Sequence, residues 1–252
     1  MPRRTLFLTL AALFMVAPVF GQRFQRTTPE QEKARMQYRA GWELMRAEAF
    51  DEAAERFQQA ITLDPKLTLA YYGLGRADVS RHRYVEAIAA YTKCRDLYLA
   101  RTSEKYTQQN EANRSREDEL RDLQELQRQN SSGPQTQTSA NNQRLIQNRI
   151  RLVQDNLSRG RNIDIDMSVP AFVSLALGSA YFRGQRFEDA ERAYKDAIQA
   201  DKTVAEAHNN LAVLYMLTGR FAESEQEIKL AEKGGFQVSS DFKHDLAERR
   251  KQ

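Results

Sequence analysis

Three histidines, one cysteine and one close pair of aspartates are the side chains with which this chain of 252 residues could make bonds or hold a metal. His82, His208 and His244 are far apart and share no metal-ligand spacing, so there is no local zinc or copper signature. Cys94 is the single cysteine and has no disulfide partner; it reads either as a reactive thiolate or as a small packed hydrophobe. Asp164-Ile165-Asp166 supplies two carboxylates, but a hard cation needs more oxygen ligands and no third acid is near. HExxH, CxxC, GxSxG and a Gly-rich phosphate loop are missing from the sequence. No catalytic residue, metal or cofactor is expected, and the chain is not expected to be an enzyme, although active sites assembled from distant residues leave no local motif.

The chemistry that remains is recognition, and its residues recur in register. Phe50 is echoed by Tyr84, and Phe187 by Phe221, each at a spacing of 34 residues. Before these anchors stand Gly41, Gly75, Gly178 and Ala212; three residues after them stand Ala53, Ala87, Ala190 and Ser224. Phe57, Tyr91, Tyr194 and Ile228 follow, then the small residues Ala60, Cys94, Ala197 and Ala231. Small residues let two helices approach, and the larger ones fill the space between successive pairs. The pattern resembles the tetratricopeptide repeat, a pair of antiparallel helices whose copies stack because one pair cannot bury its apolar stripe alone. It fits residues 34 to 67, 68 to about 100, 171 to 204 and 205 to about 234. The departures are Gln37 and Ser174 where tryptophan is favoured, Asp78 where tyrosine is usual, and Lys202 in place of a closing proline.

The resemblance implies a concave groove, lined by the first helix of each repeat, that takes a peptide segment of a partner protein. Carrying over the inward positions gives Arg35, Tyr38, Trp42, Tyr72, Arg76, Phe182, Asn209, Asn210 and Val213 as groove candidates, with Leu175, Ser179 and Glu206 among the other inward positions. Aromatic and arginine residues dominate interface hot spots, but an aromatic at helical spacing reads equally as core. Two specialised binding modes known in the family are not expected. Tyr38 and Trp42 stand where a carboxylate clamp needs Lys and Asn, and Arg39, Gly73 and Ala176 stand where backbone-holding asparagines recur.

The elements that must position this groove divide the chain into five segments. Residues 1–21 have a basic start at Arg3-Arg4, an apolar core from Leu6 to Phe20 and small Gly21, which describes a secretory signal peptide. The apolar run is short of the roughly 20 residues a membrane span needs. Cleavage after Gly21 is expected, with no stable membrane insertion afterwards, and lowers the formal charge from +4 to +2 by removing two arginines. No basic stripe with interleaved aromatics points to nucleic acid. Residues 22–100 hold a leading helix, opened by the capping box Thr28-Pro29-Glu30-Gln31, and the first two repeats. Residues 168–234 hold the third and fourth repeats, and 235–252 a closing helix with Phe242 and Leu246.

Residues 101–167 form an insertion. From Tyr84 to Asn130 there is no Gly or Pro, so a single helical rod is expected. A polar loop near 130–142 follows, and Ile146, Ile150, Val153 and Leu157 then make a coiled-coil-like seam facing Leu120, Leu123 and Leu126. Acids of the outgoing arm should face arginines of the returning arm. Between Arg101 and Glu119 no apolar face exists, which reads as a solvated helix or a partly disordered spacer. Sequons occur at Asn113, Asn130 and Asn156.

The expected fold is thus all-α, a tetratricopeptide-type solenoid of two repeat pairs interrupted by a helical hairpin. The expected function is a secreted, periplasmic scaffold that binds an unidentified protein or peptide of the cell envelope through its groove. The alternatives are self-association through residues 115–157, and an enzyme or small-molecule binder with a site between the two halves.

Overall fold

The computed structural model describes residues 28–103, 109–131, 136–158 and 169–251. The leader and the linker at 160–166 lie outside the described residues. The chain forms α1 (Pro29–Arg46), α2 (Phe50–Leu63), α3 (Thr68–Ser80), α4 (Tyr84–Ser103), α5 (Gln109–Ser131), α6 (Gln137–Ser158), α7 (Ala171–Arg183), α8 (Phe187–Ala200), α9 (Ala205–Leu217), α10 (Phe221–Lys233) and α11 (Ser240–Arg249). No strand occurs among the described residues.

Each aromatic anchor is the first residue of the second helix of a hairpin: Phe50, Tyr84, Phe187 and Phe221 open α2, α4, α8 and α10. Two residues earlier, Glu48, His82, Gln185 and Gly219 adopt left-handed φ values of 58°, 59°, 58° and 76°. The same backbone turn is therefore made four times, and only the fourth uses glycine to avoid its steric cost. His82 belongs to this turn, with Nδ1 2.8 Å from the Tyr84 hydroxyl. At the other end, Thr28 and Gln31 form the reciprocal cap expected at the start of α1.

The small residues stand where helices touch. A Cβ at Gly41 would lie 2.7 Å from the Phe57 ring and one at Gly73 2.5 Å from its other side, so Phe57 wedges between α1 and α3. Gly75 meets Tyr91 at 2.7 Å and Gly178 meets Tyr194 at 2.6 Å in the same sense. In the last hairpin Ala212 and Ile228 take these places, and the Ser224 hydroxyl donates to the Ala212 carbonyl at 2.7 Å. Cys94 is fully buried at the small position of its helix. Gly75→Leu is expected to overpack the α3–α4 crossing and lower stability by about 1–3 kcal/mol. A urea midpoint equal to that of the unsubstituted chain would show that the crossing tolerates bulk.

The two repeat pairs form one stack. α4 packs on α7 as α2 packs on α3 and α8 on α9, and Tyr72 meets Phe172 edge to face at 5.2 Å. α11 closes the far end by burying Leu246 against Met216, Ile228 and Val238. Among the described residues no helix is long and apolar enough to cross a membrane.

The insertion departs from its expected form. A continuous rod from Tyr84 would place Asn130 about 60 Å from Tyr91. Yet Asn130 accepts a hydrogen bond from Arg76, next to the residue that packs on Tyr91. The chain therefore reverses between α4 and α5. The polar loop is also shorter than expected, because α6 starts at Gln137 behind a reciprocal cap between Thr136 and Ser139. Leu123, Leu126, Ile146, Ile150 and Val153 are buried as the seam requires, but they join the core of the stack and not a free-standing arm.

Candidate binding site on the concave face

α5 lies across α1 and α3, on the face that the repeat register assigns to the groove. Arg116, Glu119, Asp122 and Glu125 of α5, three apart, wind half-way round the helix and are each less than a tenth exposed. This polar stripe is not solvated. Arg35 of α1 reaches Asp122 at 2.7 Å, Arg39 stands 3.7 Å from Glu125, and Arg149 of α6 meets Glu119 at 2.7 Å. Arg46 donates to Gln129, and Arg76 of α3 donates to Asn130 at 2.9 Å. The acids of α5 thus pair with the first repeat as well as with the returning arm. Buried pairs of this kind contribute little net stability against an apolar alternative, but breaking one is costly, so they fix where α5 docks. The Asn130 side-chain oxygen accepts from Arg76 while its amide nitrogen is buried, and Asn156 is buried, so neither sequon presents an accessible amide.

The docked hairpin decides the fate of the groove candidates. Tyr38, Trp42 and Tyr72 are 3%, 3% and 1% exposed and form one aromatic cluster with Phe57, in which the Trp42 and Phe57 centroids are 5.5 Å apart. They are core. The reason is non-local: α5 supplies Leu123 and Leu126 to the same core, and its Asp122 and Glu125 are near enough to act on the Tyr38 phenol. Arg35 is engaged by Asp122, and Arg76 lies 5.3 Å over the Trp42 ring while bound to Asn130. Asn209 is half-buried, 3.4 Å from Asn210.

The second half of the concave face stays open. A cavity of about 650 Å³ lies between α3, α7 and α9, with the first turns of α6 as its fourth wall. Tyr72, Arg76, Phe182, Asn210 and Val213 from the candidate set line it. Leu175, Ala176 and Ser179 of α7, Tyr194 of α8 and Thr138 and Asn142 of α6 complete its walls. The α6 residues were not legible as site residues, because they fall in the stretch that reads as a loop.

Glu206, in the first turn of α9, also lines this cavity and is only 9% exposed. Burial pushes its carboxyl up to about 7, against the opposing effect of the Asn141 and Thr138 side chains. Its place among the inward positions is legible in the sequence, but its burial is not. A cluster of paired charges lies outside the cavity. There Glu191 is opposed by burial but held down at about 2 by hydrogen bonds from Lys195, Arg220 and Tyr215, tying α8 to α9 and α10. His208 pairs with Glu227 at 2.6 Å, and His244 is exposed on α11. The three histidines therefore sit in separate local structures.

Residues 38–98 and 175–236 match the family model described as tetratricopeptide repeat, so these two segments are tetratricopeptide repeats. Three solved structures are similar at low identity. PilW, a type IV pilus biogenesis factor, is 15% identical over 86% of this chain and 85% of that one, with a TM-score of 0.40. TTC0263, a tetratricopeptide protein of Thermus thermophilus, is 20% identical over 87% and 100%, with a TM-score of 0.35. YrrB, described as having an unusual peptide-binding site, is 14% identical over 90% and 93%, with a TM-score of 0.30. Comparison with curated proteins gave no match.

Proposed function

We propose that these tetratricopeptide repeats belong to an exported scaffold, without catalytic activity of its own, that binds a partner protein through the part of the concave face its hairpin leaves open. The observation that carries this reading is the convergence of Tyr72, Arg76, Phe182, Asn210 and Val213 on one open cavity of about 650 Å³. Aromatic and arginine side chains meet there with apolar and neutral polar ones, the residue types that dominate interface hot spots. The apolar start of the sequence supports export into the cell envelope, where the partner is expected. Self-association through the hairpin is less well supported, because Leu123, Leu126, Ile146, Ile150 and Val153 are already covered within one chain.

The test uses the mature chain, beginning at Gln22, as bait in the native envelope fraction, followed by affinity measurement with the captured protein. Val213→Arg would fill the cavity mouth from a half-buried position. It is expected to leave the melting temperature nearly unchanged while weakening the complex by roughly 2 kcal/mol or more, as loss of a hot spot does. Equal affinity of this variant and the unsubstituted chain would move the interaction elsewhere.

A further inference from the structure

Glu206 lines the cavity without the counter-charge that a buried carboxylate ordinarily has. Its Oε2 is buried and has no hydrogen-bond partner among the described residues. The side chains that act on it from α6, Thr138 and Asn141, are neutral, and no cationic group acts to hold it ionised. The phenols of Tyr72 on α3 and Tyr194 on α8 are near enough to feel its charge, and both are held neutral by burial. Tyr91 of α4, also held neutral by burial, lines the same cavity. Two arginines line it as well, but Arg76 is committed to Asn130 and the Trp42 ring, and Arg183 of α7 is exposed. Proteins pair buried charges because the desolvation cost is otherwise uncompensated. Glu206 has hydrogen-bonding neighbours in Thr138 and Asn141 but one unpartnered oxygen and no cation beside it, so a counter-charge for its anion has to come from outside the described residues.

We propose that Glu206 anchors a primary ammonium group of the bound partner, a lysine side chain inserted into the cavity between the two repeat pairs. This rests on the reading that the cavity receives a partner segment. One unpartnered oxygen suits the compact charge and rotatable donors of an ammonium better than a planar guanidinium, which prefers two oxygens in a fork. Leu175, Ala176 and Val213 offer apolar wall for the four-carbon stem, and the Ser179 hydroxyl and the Asn210 amide are polar groups on the same lining. Because the anion is the binding form, lysine binding below about pH 7 expels the Glu206 proton, and affinity falls as the solution is acidified.

The probes are Nα-acetyl-lysine methylamide and its norleucine counterpart, which keeps the stem and lacks the ammonium. Each is titrated into the 15N-labelled mature chain by NMR at about pH 8 and about pH 5.5. The lysine probe is expected to give saturable shifts at amides around Ser179, Glu206 and Asn210. It should bind at least tenfold more tightly than norleucine at the higher pH and lose at least tenfold at the lower. Glu206→Gln, checked for an unchanged helical spectrum, should abolish both the lysine preference and the pH dependence. Absence of lysine shifts at these amides, equal binding of the two probes, or a lysine preference that survives Glu206→Gln would each overturn the proposal. If Val213→Arg loses the captured partner while Glu206→Gln keeps it at full affinity, the anchor fails and the binding face stands. If both keep it, the binding face fails as well.

Discussion

Trp42→Ala is expected to destabilise the chain by about 3–5 kcal/mol, the cost of truncating a large buried ring without collapse of its surroundings. Trp42 is 3% exposed and packs against Phe57 at 5.5 Å, Tyr38 at 6.3 Å and Tyr72 at 6.5 Å, with the Arg76 guanidinium over its face. The cavity would sit at the junction of α1, α3 and α5, so the variant loses hairpin docking along with repeat packing. Chemical denaturation of the variant should show a much lower midpoint, and any loss of partner binding would then report unfolding. A groove contact would behave in the opposite way, with an unchanged melting temperature and a weakened complex. That outcome would mean α5 is not seated over the first repeat.

The second large effect depends on pH. The Glu206 carboxyl is raised from an unfolded value of 4.5 to about 7, so between these values the folded chain holds a proton that the unfolded chain has released. Stability linked to this group is fully present below pH 4.5 and is lost as pH rises through about 7. Two and a half units correspond to about 3 kcal/mol at most. Glu206→Gln, which cannot ionise, is therefore expected to be nearly neutral at about pH 4.5 and to raise stability by up to about 3 kcal/mol at about pH 8. Urea titrations at the two pH values measure the difference. Identical variant and unsubstituted curves at the higher pH would show that the carboxyl is solvated or paired. A stabilising substitution in a binding cavity is also what a site that trades stability for recognition should show.

The cavity and the aromatic cluster together explain why Arg35, Tyr38 and Trp42 changed meaning while Tyr72, Arg76, Phe182, Asn210 and Val213 line the opening. Trp42 and Val213 occupy inward positions of their repeats and are indistinguishable by spacing. Trp42 is buried in the same core as Leu123 and Leu126, and Val213 remains partly exposed at an open cavity. The only sequence signals for this difference are weak ones. Arg35 and Arg39 lie one turn apart on α1, and Asp122 and Glu125 lie one turn apart on α5, with matching sign reversal. Nothing in either helix alone says that they meet, and the acids could equally have faced the returning arginines, as Glu119 does with Arg149. The stretch from Arg101 to Glu119 reads as solvated because it has no apolar face, yet Arg116 and Glu119 at its end are buried.

By itself the sequence determined the repeat architecture. The glycines at 41, 75 and 178 and the rings at 57, 91 and 194 act between helices that are adjacent in the chain, so their consequences follow from spacing. The hairpin seam was legible for the same reason. Only the tertiary structure decided that the hairpin folds back over the first repeat pair, that Tyr38 and Trp42 become core, and that Glu206 is buried with one unpartnered oxygen beside the remaining opening. Burial is a property of what covers a residue, and here the covering helix lies some 80 positions downstream of the residues it covers. Its docking is selected by charge complementarity and shape across the fold, which no local period encodes.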